Sequence, residues 1–397
     1  MHSYRRAALA APVLASMCGA ALAQQQVGGN AFNPAISLIL NGHYASYSRD
    51  PADFELPGFL LDEQAALPSE GLSLDETELA VSANVDDKYY GSFTASLEQS
   101  GGNTSVELEE AFVETLSLPK GLKVKAGRFL SDVGYLNPIH AHAWDFSDAP
   151  LAYVAMLNTA YADTGVQLRW VVPTTLFVEA GGELMRGDSF PAADGAASGG
   201  TGAWTVFAHV GGDVGSTSSW RAGLSRISAD ANARTSAFGG GSAAFTGASD
   251  VTIADFVWKW AKNGNPRDRN YVIQAEYLHR SEEGTLEVGT PLPSERGPYN
   301  GTQNGYYVQG VYQFRPRWRL GARFDRLDAN NAVGVTAPTP LVERHRPSRV
   351  SAMTDFANSE FSRLRLQLSR DESGASADDQ VVLQYIMSLG AHGAHRF

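Results

Sequence analysis

Residues 318–327 read Trp-Arg-Leu-Gly-Ala-Arg-Phe-Asp-Arg-Leu, WRLGARFDRL, and this stretch decides the fold. Trp318, Leu320, Ala322 and Phe324 alternate with Arg319, Gly321, Arg323 and Asp325. A period of two gives a strand with one apolar and one polar face, because successive side chains of an extended chain point to opposite sides. The same texture recurs along the chain. Val166, Leu168 and Trp170 oppose Gln167 and Arg169, and Leu364, Leu366 and Leu368 oppose Arg363, Arg365 and Gln367. Tyr306, Val308, Gly310, Tyr312 and Phe314 oppose Tyr307, Gln309, Val311 and Gln313.

A soluble sandwich would alternate in the same way, so the other features of the chain have to choose. Trp170, Trp204, Trp220, Trp258, Trp260 and Trp318 all keep the parity of the apolar face, as aromatic girdles at two lipid–water interfaces require. The polar faces carry many charges and suit a wet lumen. About sixteen such segments follow one another from residue 34 on. Short links such as SLPKGL, VVPTT and FRPRW alternate with longer ones near 49–71, 135–160, 187–202, 229–249, 282–304 and 328–347. Short turns at one end and long loops at the other are the pattern of an outer-membrane barrel, and a closed barrel satisfies every strand hydrogen bond in lipid. The expectation is an all-β, transmembrane, antiparallel up-and-down β-barrel of about sixteen strands.

The 397 residues carry a net charge of −12, which argues against nucleic acid as a partner. No apolar run of about 18 residues follows the N-terminal segment, so membrane-spanning helices are not expected. That segment has Arg5 and Arg6, an apolar stretch from Ala7 to Ala20 and an Ala21-Leu22-Ala23 cleavage site. It reads as a secretory signal peptide over 1–23, leaving 24–397 as the barrel. Cys18, the one cysteine, lies inside it, so the exported chain would hold no disulfide.

The last segment, VVLQYIMSLGAHGAHRF, keeps Val381, Leu383, Tyr385, Met387 and Leu389 in parity with the terminal Phe397. A final strand ending in an aromatic residue resembles the assembly signal of Gram-negative outer-membrane barrels. That resemblance implies insertion by the barrel assembly machinery into the outer membrane, with membrane lipid around the wall. The third long link, YLNPIHAHAWDFSDAPLAYVAMLNTAYAD, is nearly uncharged and aromatic. Its ordinal position resembles the constriction loop of sixteen-stranded general porins, which implies that residues near 135–160 fold into the lumen. The resemblance also implies a homotrimer, for which Ala80, Ser82 and Gly91 are candidate small residues on the outer wall.

Parity assigns basic pore-lining candidates Lys123, Lys125, Arg169, Arg221, Arg319, Arg323, Arg363 and Arg365. Acidic candidates are Glu76, Glu78, Glu98, Glu179, Glu183, Asp255, Glu276 and Asp355. Opposed charges across a pore set up a transverse field that favours polar solutes able to orient in it, whereas rings of one sign select ions. Pairing between neighbouring strands is the plainer use of the same charges.

His140 and His142 stand two apart, with Asp145 and Asp148 close behind. Imidazole with carboxylate suits zinc or another borderline divalent ion, so these four are the metal candidates. Hydrogen bonding within the loop is the alternative. The segments NPAISLILNGHY, AGRF, GYLNPIHAHAWDF and MSLGAHGAHRF resemble a bacterial outer-membrane family whose members are often labelled zinc-regulated or TonB-dependent receptors. A TonB-dependent receptor carries an N-terminal plug and a barrel of about 22 strands. Here the first strand is expected within about ten residues of the cleavage site. Neither G-x-S-x-G nor H-E-x-x-H occurs, so nothing points to an enzyme. The functional expectation is a porin passing small hydrophilic solutes or ions, needing no cofactor. The alternative is a receptor or uptake barrel for a divalent metal such as zinc.

Overall fold

The computed structural model describes residues 34–62, 65–74, 77–100, 103–193, 200–238, 241–289, 294–336, 339–342 and 344–390. The signal segment, Glu76, the terminal histidines and Phe397 lie outside these residues. The strands are β1 Ala35–Tyr47, β2 Gly71–Leu74, β3 Thr77–Asn84, β4 Tyr89–Ser100, β5 Asn103–Thr115, β6 Leu122–Leu130, β7 Ala162–Val171, β8 Phe177–Met185 and β9 Ala203–Val214. They continue as β10 Ser218–Phe238, β11 Gly241–Ala261, β12 Asn270–Gly289, β13 Glu295–Arg315, β14 Trp318–Val333, β15 Ser348–Ser359, β16 Ser362–Asp371 and β17 Asp378–Gly390. Among the described residues one α-helix, α1 Leu151–Leu157, sits between β6 and β7.

Each strand pairs antiparallel with its sequence neighbour, and β1 closes the sheet against β17 from Ser37↔Gly390 to Tyr47↔Gln380. β2 and β3 pair with successive parts of β1, Gly42–Ala45 and Ala35–Ile39, so they form one interrupted stave. The result is a closed barrel of sixteen strands. Closure leaves no free edge, the condition a sheet must meet in lipid.

The alternation in sequence becomes inside and outside. Leu364, Leu366 and Leu368 on β16 are exposed on the outer wall, while Arg365 and Gln367 between them are buried in the lumen. Trp170, Trp204, Tyr277, Tyr306 and Tyr312 also face outward. Near the short-turn end, Trp260 stacks on Tyr271 and Trp318 meets Phe356 in a tilted pair, forming a girdle. Ala80 and Ser82, read as outer-wall residues, pair with Ser37 and Ala35 and share their inward face. Of the three small residues, Gly91 keeps the outward register, opposite Ala83.

Two expected loops are strands. Residues 229–249 and most of 282–304 extend the hairpins of β10–β11 and β12–β13, whose strands run to 20 or 21 residues. In this collar the polarity inverts. Phe245, Leu286, Val288 and Tyr299 pack inside with Leu60, Val335 and Leu341. Asp230, Glu283 and Glu287 face out. Above the lipid the outer face meets water and the inner face meets packed loops, so the period stays at two while the phase of polarity switches.

Candidate functional site in the barrel lumen

The third outer connection, residues 131–161 (L3), packs against the inner faces of strands from β3 round to β16. Its base is stitched by Asn137, which donates to the carbonyls of Ser131 (2.8 Å) and Tyr161 (2.9 Å) and accepts from the Tyr161 main-chain N–H (2.7 Å). Gly134 then turns the chain at φ +66°. A Cβ there would lie 2.5 Å from a Glu276 oxygen and 2.7 Å from the Tyr153 hydroxyl, so glycine is required by both backbone and space.

Glu276 of β12 is the deepest anchor. It accepts from the main-chain N–H groups of Tyr135 and Leu136 (3.0 Å each), from Tyr153 Oη (2.8 Å) and from Tyr307 Oη (2.5 Å). Nearer the start of L3, Glu183 of β8 accepts from Ser131 Oγ and the Asp132 N–H. Burial alone would raise the Asp132 carboxyl, but Lys125, then Arg169, His209 and Arg221, outweigh it and hold it below its ordinary value.

The second half of L3 lies on an arginine wall. Arg319 of β14 bonds Asp145 (2.7 Å) and Asp355 (2.5 Å), and Arg323 bonds Asp148 (2.8 Å) and Asp325 (2.9 Å). Arg349 of β15 bonds Asp148 (2.9 Å) and the Ala149 carbonyl (2.7 Å). Arg363 and Arg365 of β16 donate to the carbonyls of His142 (2.6 Å) and Trp144 (2.7 Å). Burial would raise the Asp148 carboxyl, yet the Arg323 and Arg349 charges keep it below the usual range. All seven residues of α1 are buried. Leu151, Tyr153, Met156 and Leu157 join Phe59 and Leu56 of the first outer connection, Ile253, Leu278, Tyr307 and Leu327 in one apolar cluster inside the barrel. Apolar packing thus holds the loop where the charges alone would leave it hydrated.

The metal candidates separate. His140 and His142 stack at 5.8 Å between ring centres and lie against β3 and β5. Asp145 and Asp148 instead point to the arginine wall, because Arg319, Arg323 and Arg349 offer paired charge that a bare cation site would have to displace. Around His140 stand other carboxylates: Glu78, read from the sequence as pore-lining, and Glu109 and Glu110, which sequence reading left out. Its Nδ1 is 3.1 Å from Glu109 and 3.5 Å from Glu78, and its Nε2 is 3.1 Å from Glu110. His142 Nδ1 bonds the other oxygen of Glu78. Glu109 and Glu110 reach one histidine because of a bulge: Thr94 pairs with Glu110 and Ala95 with Leu108, so Glu109 is the inserted residue. Burial would lower the His140 imidazole, but Glu78 and the bonds to Glu109 and Glu110 raise it well above its ordinary value.

The remaining pore-lining candidates have inward register. Lys123 bonds Glu114 at 2.5 Å, and Lys125 lies over the rings of Phe112 and Phe129. Arg169 is placed among Asp132, Glu114 and Glu179, and Glu179 also meets His209 at 3.1 Å. Asp255 sits across Gly223 from His209, 3.9 Å from Arg221, which donates to the Gly134 carbonyl at 2.9 Å. Sequence reading missed Arg349, Glu110 and Glu114; Arg349 shares the parity of Ser351, Met353 and Asp355, which was signal enough. The side chain of Glu98 lies outside the described residues.

Comparison with known proteins gives the same picture. An uncharacterised protein of Aquifex aeolicus (strain VF5) is 29% identical over 406 positions, covering 92% of this chain and 80% of its own. Among solved structures, the outer-membrane channel DcaP of Acinetobacter baumannii superposes with a TM-score of 0.57 at 12% identity, over 90% of this chain and 97% of that one. OprB of Pseudomonas putida gives 0.55 at 12% identity, over 90% and 94%. Loop-deleted OmpT of Vibrio cholerae gives 0.56 at 11%, over 91% and 100%. At such identities these three speak for the fold alone. The family described as "Putative beta-barrel porin-2, OmpL-like" matches residues 79–387, and the chain belongs to it: it is an outer-membrane porin.

Proposed function

We propose that the barrel passes small hydrophilic solutes and ions by passive diffusion along a lumen narrowed by L3, with a charge gradient across the path. One observation carries this reading: charge of opposite sign on opposite walls. The arginines at 319, 323, 349, 363 and 365 occupy the adjacent strands β14–β16. Glu78, Glu110, Glu114, Glu179 and Glu183 occupy β3–β8, from about a quarter to about half a turn away around the sheet. Glutamates outnumber Lys123, Lys125 and Arg169 on that side, while L3 aspartates and wall aspartates offset much of the arginine charge. The balance favours a weak preference for cations and passage of dipolar solutes that orient in the field.

Export by the 1–23 segment, insertion through the strand ending in Phe397 and assembly as a homotrimer belong to the same proposal. OmpT of Vibrio cholerae, a barrel of similar fold, has been solved in a trimer form. The test is conductance of the purified protein in a planar bilayer, with reversal potential across a salt gradient. Stepwise conductance with a small reversal potential of cation-preferring sign is expected. Absence of steps would sink the channel reading, and anion preference would sink the charge reading.

A further inference from the structure

We propose that Glu78, Glu109 and His140 form a divalent-cation site that staples L3 to the barrel wall. Among the described residues these three are the group whose donor atoms, one from each, all lie within 4.8 Å of one another. They come from three separate parts of the chain: β3, the bulge of β5 and the tip of L3. A zinc ion with bonds of about 2.0–2.1 Å in tetrahedral geometry places neighbouring ligand atoms about 3.3 Å apart. The His140 Nδ1 stands 3.1 Å from Glu109 Oε2 and 3.5 Å from Glu78 Oε2, on either side of that value.

The surroundings match what a metal-bound histidine needs. Its far ring nitrogen, Nε2, faces the Glu110 carboxylate at 3.1 Å, the carboxylate–imidazole–metal relay that fixes tautomer and raises ligand basicity. The second oxygen of Glu78 is held by His142, which orients the first. Glu78 is buried at the back, and His140 is 23% exposed, so an ion has a way in and a fourth position is left for water. One imidazole with two carboxylates selects a borderline ion such as zinc over calcium or magnesium, which take oxygen alone. The consequence is mechanical: L3 is held at its tip by the ion as it is held at its root by Glu276.

A protonated His140 caged by the same carboxylates would give a similar contact pattern, so the experiment has to separate metal from proton. The chelator-treated, full-length protein in detergent is titrated with zinc by calorimetry, and bound zinc is counted after gel filtration. The wild type should take up one zinc with a micromolar or tighter Kd that Glu109→Gln and His140→Gln each weaken at least tenfold. His345→Gln, at a half-buried histidine bonded to the Glu372 carbonyl, should leave it unchanged. Zinc should also quieten open-channel noise in the wild type and not in the variants. No uptake by the wild type, or uptake that survives both variants, overturns the site and leaves the imidazolium cage. Heat-modified mobility on gels checks that each barrel is folded. Steps recorded without zinc test the channel reading separately, so the two proposals fail independently.

Discussion

Replacing Glu276 by alanine should unseat L3. The carboxylate is buried and receives four hydrogen bonds of 3.0 Å or less, two from the loop backbone at Tyr135 and Leu136, one from Tyr153 of α1 and one from Tyr307 of the wall, besides a longer one from Gln274 (3.4 Å). A hydrogen bond to a charged group contributes about 1.5 kcal/mol or more, and each donor left without an acceptor in a buried place costs about the same. Three of these donors belong to L3 and come to about 4.5 kcal/mol, and water entering the vacated space recovers about a third. Tyr307 belongs to the wall, so its bond is lost whether the loop is seated or released and does not enter the balance. A residual of about 3 kcal/mol shifts the balance between seated and released loop by about a hundredfold. Glu276→Gln keeps one acceptor oxygen but turns an amide N–H2 toward the remaining donors, so it should fall between. The assay is single-channel recording with each variant first shown to be a folded barrel. Larger and noisier steps are expected for alanine, with glutamine intermediate. An alanine variant whose conductance and noise match the wild type would refute the anchoring argument, whatever the stability of the barrel.

Acid should release the other half of L3. Asp148 titrates below its ordinary value in the folded barrel, so its bonds to Arg323 and Arg349 contribute stability that is complete above the unfolded carboxylate value of about 3.9 and lost as pH falls through the depressed one. Conductance should therefore stay level from neutral pH down to about 4 and change only below it. The Asp148→Asn variant should lack that acid step; finding the step intact would assign it elsewhere. On the outer wall, Leu366→Arg puts a charge into lipid at a strand position flanked by Leu364 and Leu368. Refolding into vesicles should show a loss of about 2–4 kcal/mol if the site lies near the bilayer midplane. An undiminished folding free energy would place this face of β16 outside the lipid.

The wall was legible because lipid and lumen impose a strict two-residue rule, and Arg319, Arg323, Arg365 and Asp355 obey it strand after strand. Two physical breaks in that rule hid the rest. The first is the collar, where Phe245 and Leu286 turn inward because the outer face has left the lipid; a reader tracking polarity alone sees loops where the strands continue. The second is the bulge at Glu109. Strict alternation sends Glu109 and Glu110 to opposite faces, yet the inserted residue lets both meet His140. The partners of L3 were beyond local reading for a different reason. Asp145 finds Arg319 at a separation of 174 residues, and the His142 carbonyl finds Arg363 at 221. Nothing in HAHAWDFSD distinguishes a carboxylate destined for a cation from one destined for a guanidinium. Closure of the barrel decides it, because only closure brings β14–β16 within reach of a loop that leaves from β6. The sorting of this one loop, imidazoles to the glutamates and aspartates to the arginines, is therefore a property of the assembled ring and of no segment within it.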